Sequence, residues 1–258
     1  MNPARGRLVL VPNSLDLGTG TEVDLADVLP RAVLSRAAGL QHWVVENAKS
    51  ARAFLKRVDR HSPLAQALPM LDIRELPRPR KGGSSPEPMA MVLALEHLLA
   101  PAMAGHDIGL LSEAGLPAVA DPGAALVDVA HRLRVDVEPL AGPSSLMLAL
   151  AASGLNGQCF AFIGYLPVEA AARAGRIREL EQVSRRQAQT QIAIETPYRN
   201  AALLGALIEH LHPATRLCVA SGLTLPGGRC FSQTVQDWRA TSMQLGDRTP
   251  AVFLWLAF

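Results

Sequence analysis

Three turns rich in glycine and proline are the residues of this chain best suited to bind a ligand. They are Ser112–Pro117 (SEAGLP), Ala120–Gly123 (ADPG) and Ala141–Ser145 (AGPSS). Each turn lies at the edge of an expected strand or helix, where open α/β sheets bind ligands, and each can present backbone N–H and C=O groups. We therefore interpret the stretch Leu110–Ser145 as the wall of a small-molecule site.

The motifs of several other chemistries are missing from the sequence. There is no Gly-x-Gly-x-x-Gly dinucleotide fingerprint and no Gly-x-x-x-x-Gly-Lys-Ser/Thr phosphate loop. Gly142–Ser145 has the wrong spacing for a Gly-x-Ser-x-Gly nucleophile elbow, and no His-Glu-x-x-His motif predicts a metal. We expect a metal-free site made of backbone groups, which suits a large neutral or cationic cofactor better than a polyphosphate.

Composition predicts a folded protein without a membrane span. The 258 residues are 49% hydrophobic and 19% charged, with a net charge of +2, so we expect one or two domains and only local basic surface. The apolar run Leu8–Pro12 is too short for a signal peptide, and no run reaches the length of a membrane helix. Three widely spaced cysteines argue against a disulfide framework and suit a reducing cytoplasm.

The order of apolar segments and amphipathic helices predicts an α/β fold with two domains. In the first half, strands and helices alternate, which is typical of a parallel sheet with helices on both faces. Pro30 and Gly39 are expected to bound one of these helices, and Asn47 to cap the next, 48–58. We expect this N-terminal α/β domain to comprise residues 1–139, with strands at 7–12, 41–45, 71–76, 107–111 and 135–139.

Residues 140–258 are expected to form a second α/β domain. Its last strands follow one another without a predicted helix between them, which indicates a mixed sheet. A long helix is expected at 170–187 and a shorter one at 201–211. The predicted strands are 160–165, 190–195, 216–220, 230–235 and 251–258.

Four stretches resemble the tetrapyrrole methylase superfamily, whose members are S-adenosylmethionine (SAM)-dependent methyltransferases. They are Ser112–Gly123 (SEAGLPAVADPG), Leu140–Leu155 (LAGPSSLMLALAASGL), Phe162–Pro167 (FIGYLP) and Glu195–Asn200 (ETPYRN), in the family's order and spacing. Within the superfamily, the chain looks most like the small-subunit ribosomal RNA 2′-O-ribose methyltransferases. The resemblance implies two α/β domains with SAM in the cleft between them, and an obligate homodimer.

The resemblance also implies which residues contact SAM. Backbone groups of the three turns would bind the adenine and methionine ends, and a carboxylate such as that of Glu113 would favour the sulfonium cation. For Ser112–Pro117 the alternative is an ordinary strand-to-helix loop, and for Gly142–Ser145 an ordinary helix cap. The candidate SAM contacts are Pro12, Ser112, Glu113, Ala114, Gly115, Leu116, Pro117, Val119, Ala120, Pro143, Ser144 and Ser145.

Methyl transfer to a ribose hydroxyl is an in-line displacement, which needs accurate positioning, a dry site and an acceptor for the hydroxyl proton. Glu46 is our candidate acceptor, with Lys49 as a second catalytic candidate, and a solvated surface pair is the alternative. The basic loop 77–85 could contact RNA phosphates or be simply solvated, and the roles of Tyr198 and Arg199 stay open between SAM, substrate and dimer interface. The candidate substrate-binding residues are Arg52, Arg78, Arg80, Lys81, Tyr198 and Arg199.

The chain departs from the ribosomal RNA branch in its substrate-facing loops. After the first strand, that branch has Pro-Thr-Pro-Ile-Gly-Asn, and this chain has Pro12–Asp16 (PNSLD) in its place. After the second strand, that branch has Glu-Asp-Thr-Arg, and this chain has Glu46–Lys49 (ENAK). Three functions therefore stay open. They are methylation of ribosomal RNA, methylation of a small molecule such as a tetrapyrrole or of a protein, and SAM binding without catalysis.

Overall fold

The computed structural model describes residues 5–16, 18–77, 88–240, 245–246 and 248–258. The chain divides into two compact units. Unit 1 runs to Pro143 except for the segment Gly18–Glu22, which belongs with Ser144–Phe258 to unit 2. Both units are α/β, as the sequence predicts.

Unit 1 is built on a five-stranded sheet. Its strands are β1 (Arg7–Val11), β2 (His42–Val45), β3 (Asp72–Glu75), β4 (Ile108–Leu111) and β5 (Asp136–Pro139), in the spatial order β3-β2-β4-β1-β5. All four pairings are parallel, as predicted. The register sets Val11 and Val45 on either side of Leu111, so the loops that follow β1, β2 and β4 leave the sheet at one edge.

Helices cover both faces of this sheet. One face packs Trp43 against Phe54 and Leu55 of the helix after β2, and the other packs Leu110 against Leu99 and Leu126. Alternate strand residues therefore belong to opposite cores, as the pleat requires. The helices of unit 1 are α1 (Leu25–Val28), α2 (Arg31–Ala38), α3 (Ala48–Asp59), α4 (Pro88–Leu98), α5 (Ala100–Met103) and α6 (Ala124–Arg132), with a 3-10 turn at Leu68–Met70.

The helix limits of unit 1 follow local signals. Pro30 and Gly39 bound α2, and the Asn47 side chain caps α3 by accepting the N–H of Lys49 at 2.8 Å, both as predicted. The apolar sequence after Ser85 predicts a single helix that ends at Gly105. This prediction is wrong in one respect, because the helix is broken between α4 and α5. Pro101 lies in the first turn of α5, where its missing N–H costs no intrahelical bond. The predicted start at Ser85 lies outside the described residues.

Unit 2 contains a mixed sheet, as predicted. Its strands are β6 (Phe160–Gly164), β7 (Thr190–Glu195), β8 (Arg216–Ser221), β9 (Arg229–Thr234) and β10 (Ala251–Leu256), in the order β6-β7-β10-β8-β9. β6 and β7 are parallel, and the other pairs are antiparallel. β10 is buried along its whole length because it is the middle strand.

The two faces of the second sheet carry different helices. Phe253 and Trp255 face a core with Trp238 and the helices after β6 and β7, whereas Val252 and Leu254 face the apolar helix that begins unit 2. The helices are α7 (Ser145–Ser153), α8 (Ala170–Gln187), α9 (Asn200–His210) and α10 (Val235–Ala240), with a 3-10 turn at Pro197–Arg199.

Helix α10 corrects the sequence prediction, which extended a strand to Val235 and placed no helix before β10. The strand ends at Thr234, whose hydroxyl accepts the N–H of Asp237 at 3.2 Å and donates to the Asp237 carboxylate at 2.6 Å. This pair starts the helix, because it satisfies one of the free N–H groups of the first turn. The segment Thr-Val-Gln-Asp carries that signal in the sequence.

The cysteines are unpaired thiols. The Sγ atoms of Cys218 and Cys230, on neighbouring strands, lie 3.3 Å apart without a disulfide bond. Burial, together with the Cys230 thiol, raises the pKa of Cys218 above its usual range. In the described part of the chain, no helix is long and apolar enough to cross a membrane.

Candidate functional site

Asn13, in the loop after β1, holds the first of the three predicted turns. Its backbone pairs with Gly115 through N–H···O bonds of 2.9 and 3.2 Å. Its side-chain amide donates to the carbonyls of Ser112 at 3.2 Å and Glu113 at 3.1 Å, and the residue is only 7% exposed. The conformation of the turn therefore depends on a residue about one hundred positions away, which is not among the site residues predicted from the sequence.

A polar network fixes the rest of the loop after β1. The side-chain oxygen of Asn13 accepts a hydrogen bond from the backbone N–H of Ser14 at 2.8 Å, and the Ser14 hydroxyl donates to one carboxylate oxygen of Asp16 at 2.6 Å. Arg57 of α3 donates to the other Asp16 oxygen at 2.8 Å. Burial alone would raise the pKa of Asp16, but hydrogen bonds from Ser14, the Val23 N–H and Arg57 lower it below its usual value.

The stretch between β4 and α6 contains strained backbone. Gly115 has a φ of +69°, and Ala118 and Ala120 both have a φ of +64°. A non-glycine residue in this left-handed region costs about 1–3 kcal/mol and persists only where its surroundings fix it. Such strain concentrates at ligand sites, so two strained alanines in the twelve residues between β4 and α6 support the interpretation of this segment as a binding wall.

The turn at Gly142 packs against the end of β1. A Cβ atom on Gly142 would lie 2.3 Å from the Cβ and 2.5 Å from the Cγ of Pro12, which is buried. A Cβ on Gly115 would in turn lie 3.3 Å from the carbonyl oxygen of Pro143. The loop after β1, the Ser112 turn and the Gly142–Pro143 turn therefore meet at one edge of the first sheet.

Three carboxylates lie close together beside these turns. One carboxylate oxygen of Glu46, at the end of β2, accepts the N–H of Glu113 at 3.0 Å, and the Ser50 hydroxyl donates to the Glu113 carboxylate at 2.6 Å. Burial, with the charges of Glu46 and Glu113, raises the pKa of Asp121 to about 7. This region therefore favours a cationic ligand. Glu46 and Glu113 are among the residues predicted from the sequence, whereas Ser50 and Asp121 are not.

The other candidates in unit 1 are more peripheral. Lys49 is exposed in the first turn of α3, and Arg52 is exposed one turn later, where it donates to the Ala48 carbonyl at 3.2 Å. Val119 is exposed. Ser112 and Pro117 are buried, and Ala114 and Leu116 between them are half-buried. The strained Ala120 is exposed. Arg78, Arg80 and Lys81 lie outside the described residues.

Four candidates belong to unit 2. Ser144 caps α7 by accepting the N–H of Met147 at 3.5 Å, and Ser145 is its first residue. Arg199 donates to the buried carboxylate of Glu195 at 2.7 Å, and its guanidinium lies 5.6 Å from the ring centre of the exposed Tyr198. The Arg199 charge is thus paired. Among the described residues, no group of three or more His, Cys, Asp or Glu side chains could hold a metal ion.

At pH 8.5, the free energy of unfolding of Asp121→Asn is expected to exceed that of the wild type by about 1–2 kcal/mol. Near pH 4, the two proteins should be about equally stable. The raised pKa of Asp121 means that the unfolded chain releases this proton first, so wild-type stability falls between about pH 4 and 7 and stays low above it. The magnitude is reduced because Asp121 is partly solvent-screened. Denaturant titrations across this range test it, with the exposed Asp136→Asn as control. Parallel pH curves for wild type and Asp121→Asn would contradict it.

The fold and the family model together define the class of protein. One similar solved structure is the methyltransferase CobJ, with a TM-score of 0.56 and 17% identity over 96% of this chain and 93% of that chain. Another is the native uroporphyrin III C-methyltransferase from Thermus thermophilus, with a TM-score of 0.52 and 18% identity over 97% of each chain. At these identities the likeness shows the fold alone, which is that of the tetrapyrrole methyltransferases. The family model of tetrapyrrole (corrin/porphyrin) methylases matches residues 44–238, more than half of the chain. The chain belongs to that family, which confirms the resemblance seen in the sequence.

Curated relatives agree with the ribosomal RNA branch. Two similar proteins are both called ribosomal RNA small subunit methyltransferase I. The one from Mesorhizobium japonicum is 39% identical over 127 residues, 49% of this chain and 42% of the relative. The one from Vibrio cholerae is 37% identical over 122 residues, which cover 47% of this chain and 41% of the relative. The matched regions therefore span less than half the length of these relatives.

Proposed function

We propose that this protein is a SAM-dependent methyltransferase that methylates a ribose 2′-hydroxyl of ribosomal RNA. The observation that carries the proposal is the edge of the unit 1 sheet, where the loop after β1 interlocks with the turns at Ser112 and Gly142–Pro143 beside three carboxylates. Family membership and the names of the relatives support it. A ribosomal RNA substrate would place the enzyme in the cytoplasm.

The residues of this edge fit SAM. SAM carries a sulfonium cation and, when bound, supplies an electrophilic methyl group. Glu46, Glu113 and Asp121 are the carboxylates that a cation would neutralise, and burial together with the charges of Glu46 and Glu113 raises the pKa of Asp121 to about 7. The fixed turns at Ser112–Ala120 and Gly142–Pro143 offer backbone N–H and C=O groups without further ordering, which lowers the entropic cost of binding.

Two carboxylates are suited to take the proton of the ribose hydroxyl. Glu46, the acceptor predicted from sequence, has one oxygen engaged by the Glu113 N–H. Asp121 makes no hydrogen bond to another described residue, and its pKa of about 7 is near the value at which a general base is most effective. We assign Asp121 the base role beside Glu46, and Glu113 the role of a fixed negative charge.

We infer that the protein is a homodimer, as the family resemblance implies. Unit 2 leaves large apolar side chains exposed on α7 and on the same face of the sheet at edge strand β6, namely Met147, Leu148, Phe160 and Phe162. A second copy of the chain would cover them. Sedimentation equilibrium is expected to give twice the monomer mass, and a monomer at micromolar concentration would exclude the dimer.

The direct test begins with calorimetry of SAM and S-adenosylhomocysteine. Absence of binding for both would end the proposal. The second step is transfer of labelled methyl from SAM to small ribosomal subunits from a strain that lacks this gene, followed by mass spectrometry of nucleosides. A 2′-O-methyl ribonucleoside is expected in ribosomal RNA. Label that appears only in protein or in small molecules would replace the RNA substrate by the second candidate.

The second candidate keeps SAM and changes the substrate to a small molecule or a protein. One observation favours it, namely that Asn13, Ser14 and Asp16 form a closed polar network with Arg57 where the ribosomal RNA branch has a different loop. A third candidate, a SAM-binding protein without catalysis, predicts SAM binding with no label in any cellular fraction. The same experiment separates all three.

A further inference from the structure

A cavity of about 500 Å³ lies within unit 2. Its walls are the connection between β8 and β9, the strand β9, the loop around Thr249 and the segment Gly18–Glu22, which belongs to the same unit. None of the residues assigned above to SAM or to catalysis lines it. The volume falls in the range of small-molecule sites, which is about 300–1,000 Å³.

Strand β9 presents a row of three side chains to this cavity. Arg229, Phe231 and Gln233 alternate along the strand and so point to one face of the sheet. Phe231 is 44% exposed although it lies on a strand. β9 is the edge strand of its sheet, so in the described sheet no strand lies beyond this row.

The charge on the walls limits the kind of ligand. Of the described residues that line the cavity, Arg229 is the one with a charged side chain, and its guanidinium makes no hydrogen bond or ion pair to another described residue. Hydroxyls of Ser221 and Thr249 line the wall nearby. Trp238 closes the cavity as a buried wall, with its indole N–H donated to the Leu217 carbonyl at 2.8 Å. The walls therefore suit an anion that also has a flat apolar part.

The connection between β8 and β9 is held in a fixed shape. Gly222, Thr224 and Gly227 have φ values of +61°, +66° and +80°. For a β-branched residue such as Thr224 this is a true outlier, which costs about 1–3 kcal/mol. Gly228 is packed so closely that a Cβ would lie 2.2 Å from the Gly222 carbonyl oxygen. The cavity wall is thus preorganised.

We propose that this cavity binds one unpaired nucleotide of the RNA substrate. The base stacks on Phe231, the phosphate lies at Arg229, and the hydroxyls of Ser221 and Thr249 face the sugar. Single-stranded RNA is recognised in this way, by aromatic side chains on an open strand with a cation for the backbone. The inference rests on the proposed function, since it takes RNA as the substrate.

The test measures binding of a fluorescent single-stranded oligonucleotide of small-subunit ribosomal RNA sequence. Phe231→Ala is expected to weaken binding roughly 5- to 140-fold, because it removes one stacked base. Phe231→Leu, which keeps the volume without the aromatic face, should lose nearly as much, and Phe231→Tyr should retain binding. Arg229→Gln should lower the salt dependence of log K by about 0.7. The exposed Phe258→Ala is the matched control and should bind like the wild type.

Calorimetry with SAM and with AMP separates the sources of a nucleotide. SAM affinity is expected to be unchanged in Phe231→Ala. If SAM or AMP affinity falls while RNA affinity does not, the cavity belongs to the cofactor or to a free nucleotide and the inference is wrong. Equal RNA affinities of Phe231→Ala and wild type also overturn it, even where the wild type methylates RNA. A wild type that neither binds nor methylates RNA overturns the proposed function, and the inference with it.

Discussion

Gly142→Ala is expected to lower the free energy of unfolding by about 3 kcal/mol and to abolish measurable SAM binding. The added Cβ would lie 2.3 Å from the Cβ of Pro12. Pro12 cannot rotate away, because its ring is part of the backbone at the end of β1. Overpacking a buried site typically costs about 1–3 kcal/mol, and here relief requires movement of one of the two segments that form the site.

Gly175→Ala is the matched control for Gly142→Ala. Gly175 lies within α8, where a Cβ would meet nothing within 4 Å. Alanine there should stabilise the protein by about 0.5–1 kcal/mol, because glycine weakens a helix interior by that amount. Urea unfolding and SAM calorimetry on both variants provide the measurements. A Gly142→Ala protein with wild-type SAM affinity would show that this turn does not shape the cofactor site.

The fold was predictable where local signals agree with the tertiary structure. The helix α8 and the strand β7 have the predicted limits. Residues that favour a helix, mostly Ala, Arg, Glu and Gln, fill α8, and Ile192 and Ile194 mark β7 as a buried strand. Asn47 and Pro30 act at helix starts as their chemistry requires. The parallel first sheet followed from the alternation of strands and helices alone. The short helices α1 and α10 were missed because four to six residues are too few to show helical periodicity, and the break between α4 and α5 leaves no signal in the apolar pattern.

The site was only partly predictable, for a physical reason. The turns around Gly115 and Gly142 stand out locally, because they require glycine and proline. Asn13 and Asp121 do not, because a polar residue in a polar loop looks like solvated surface. Their roles come from the register of β1 beside β4, which brings Asn13 to residues about one hundred positions away. The pKa of Asp121 likewise depends on Glu46 and Glu113, which reach it only through the fold.

Asn13→Ala is expected to cost about 2–4 kcal/mol of stability and to weaken SAM binding at least about tenfold. The substitution leaves the carbonyls of Ser112 and Glu113 without their buried donor, and each such loss costs about 1–3 kcal/mol. The Ser112 turn would then relax, and with it the strained Ala118 and Ala120, whose conformation depends on their surroundings. Thermal unfolding and SAM calorimetry measure the two effects.

Asn156→Ala separates loss of stability from loss of the site. Asn156 makes the same kinds of bond in unit 2, donating to the Ala188 carbonyl at 2.6 Å and accepting the N–H of Gln158 at 2.9 Å. Its removal should cost about 1–2 kcal/mol and leave SAM affinity unchanged below the melting temperature. If both asparagine variants lose SAM binding in proportion to stability, Asn13 is only a structural residue. If Asn13→Ala loses affinity far beyond Asn156→Ala, then the loop after β1 orders the cofactor wall, and the divergence of this loop from the ribosomal RNA branch bears on the cofactor as well as the substrate.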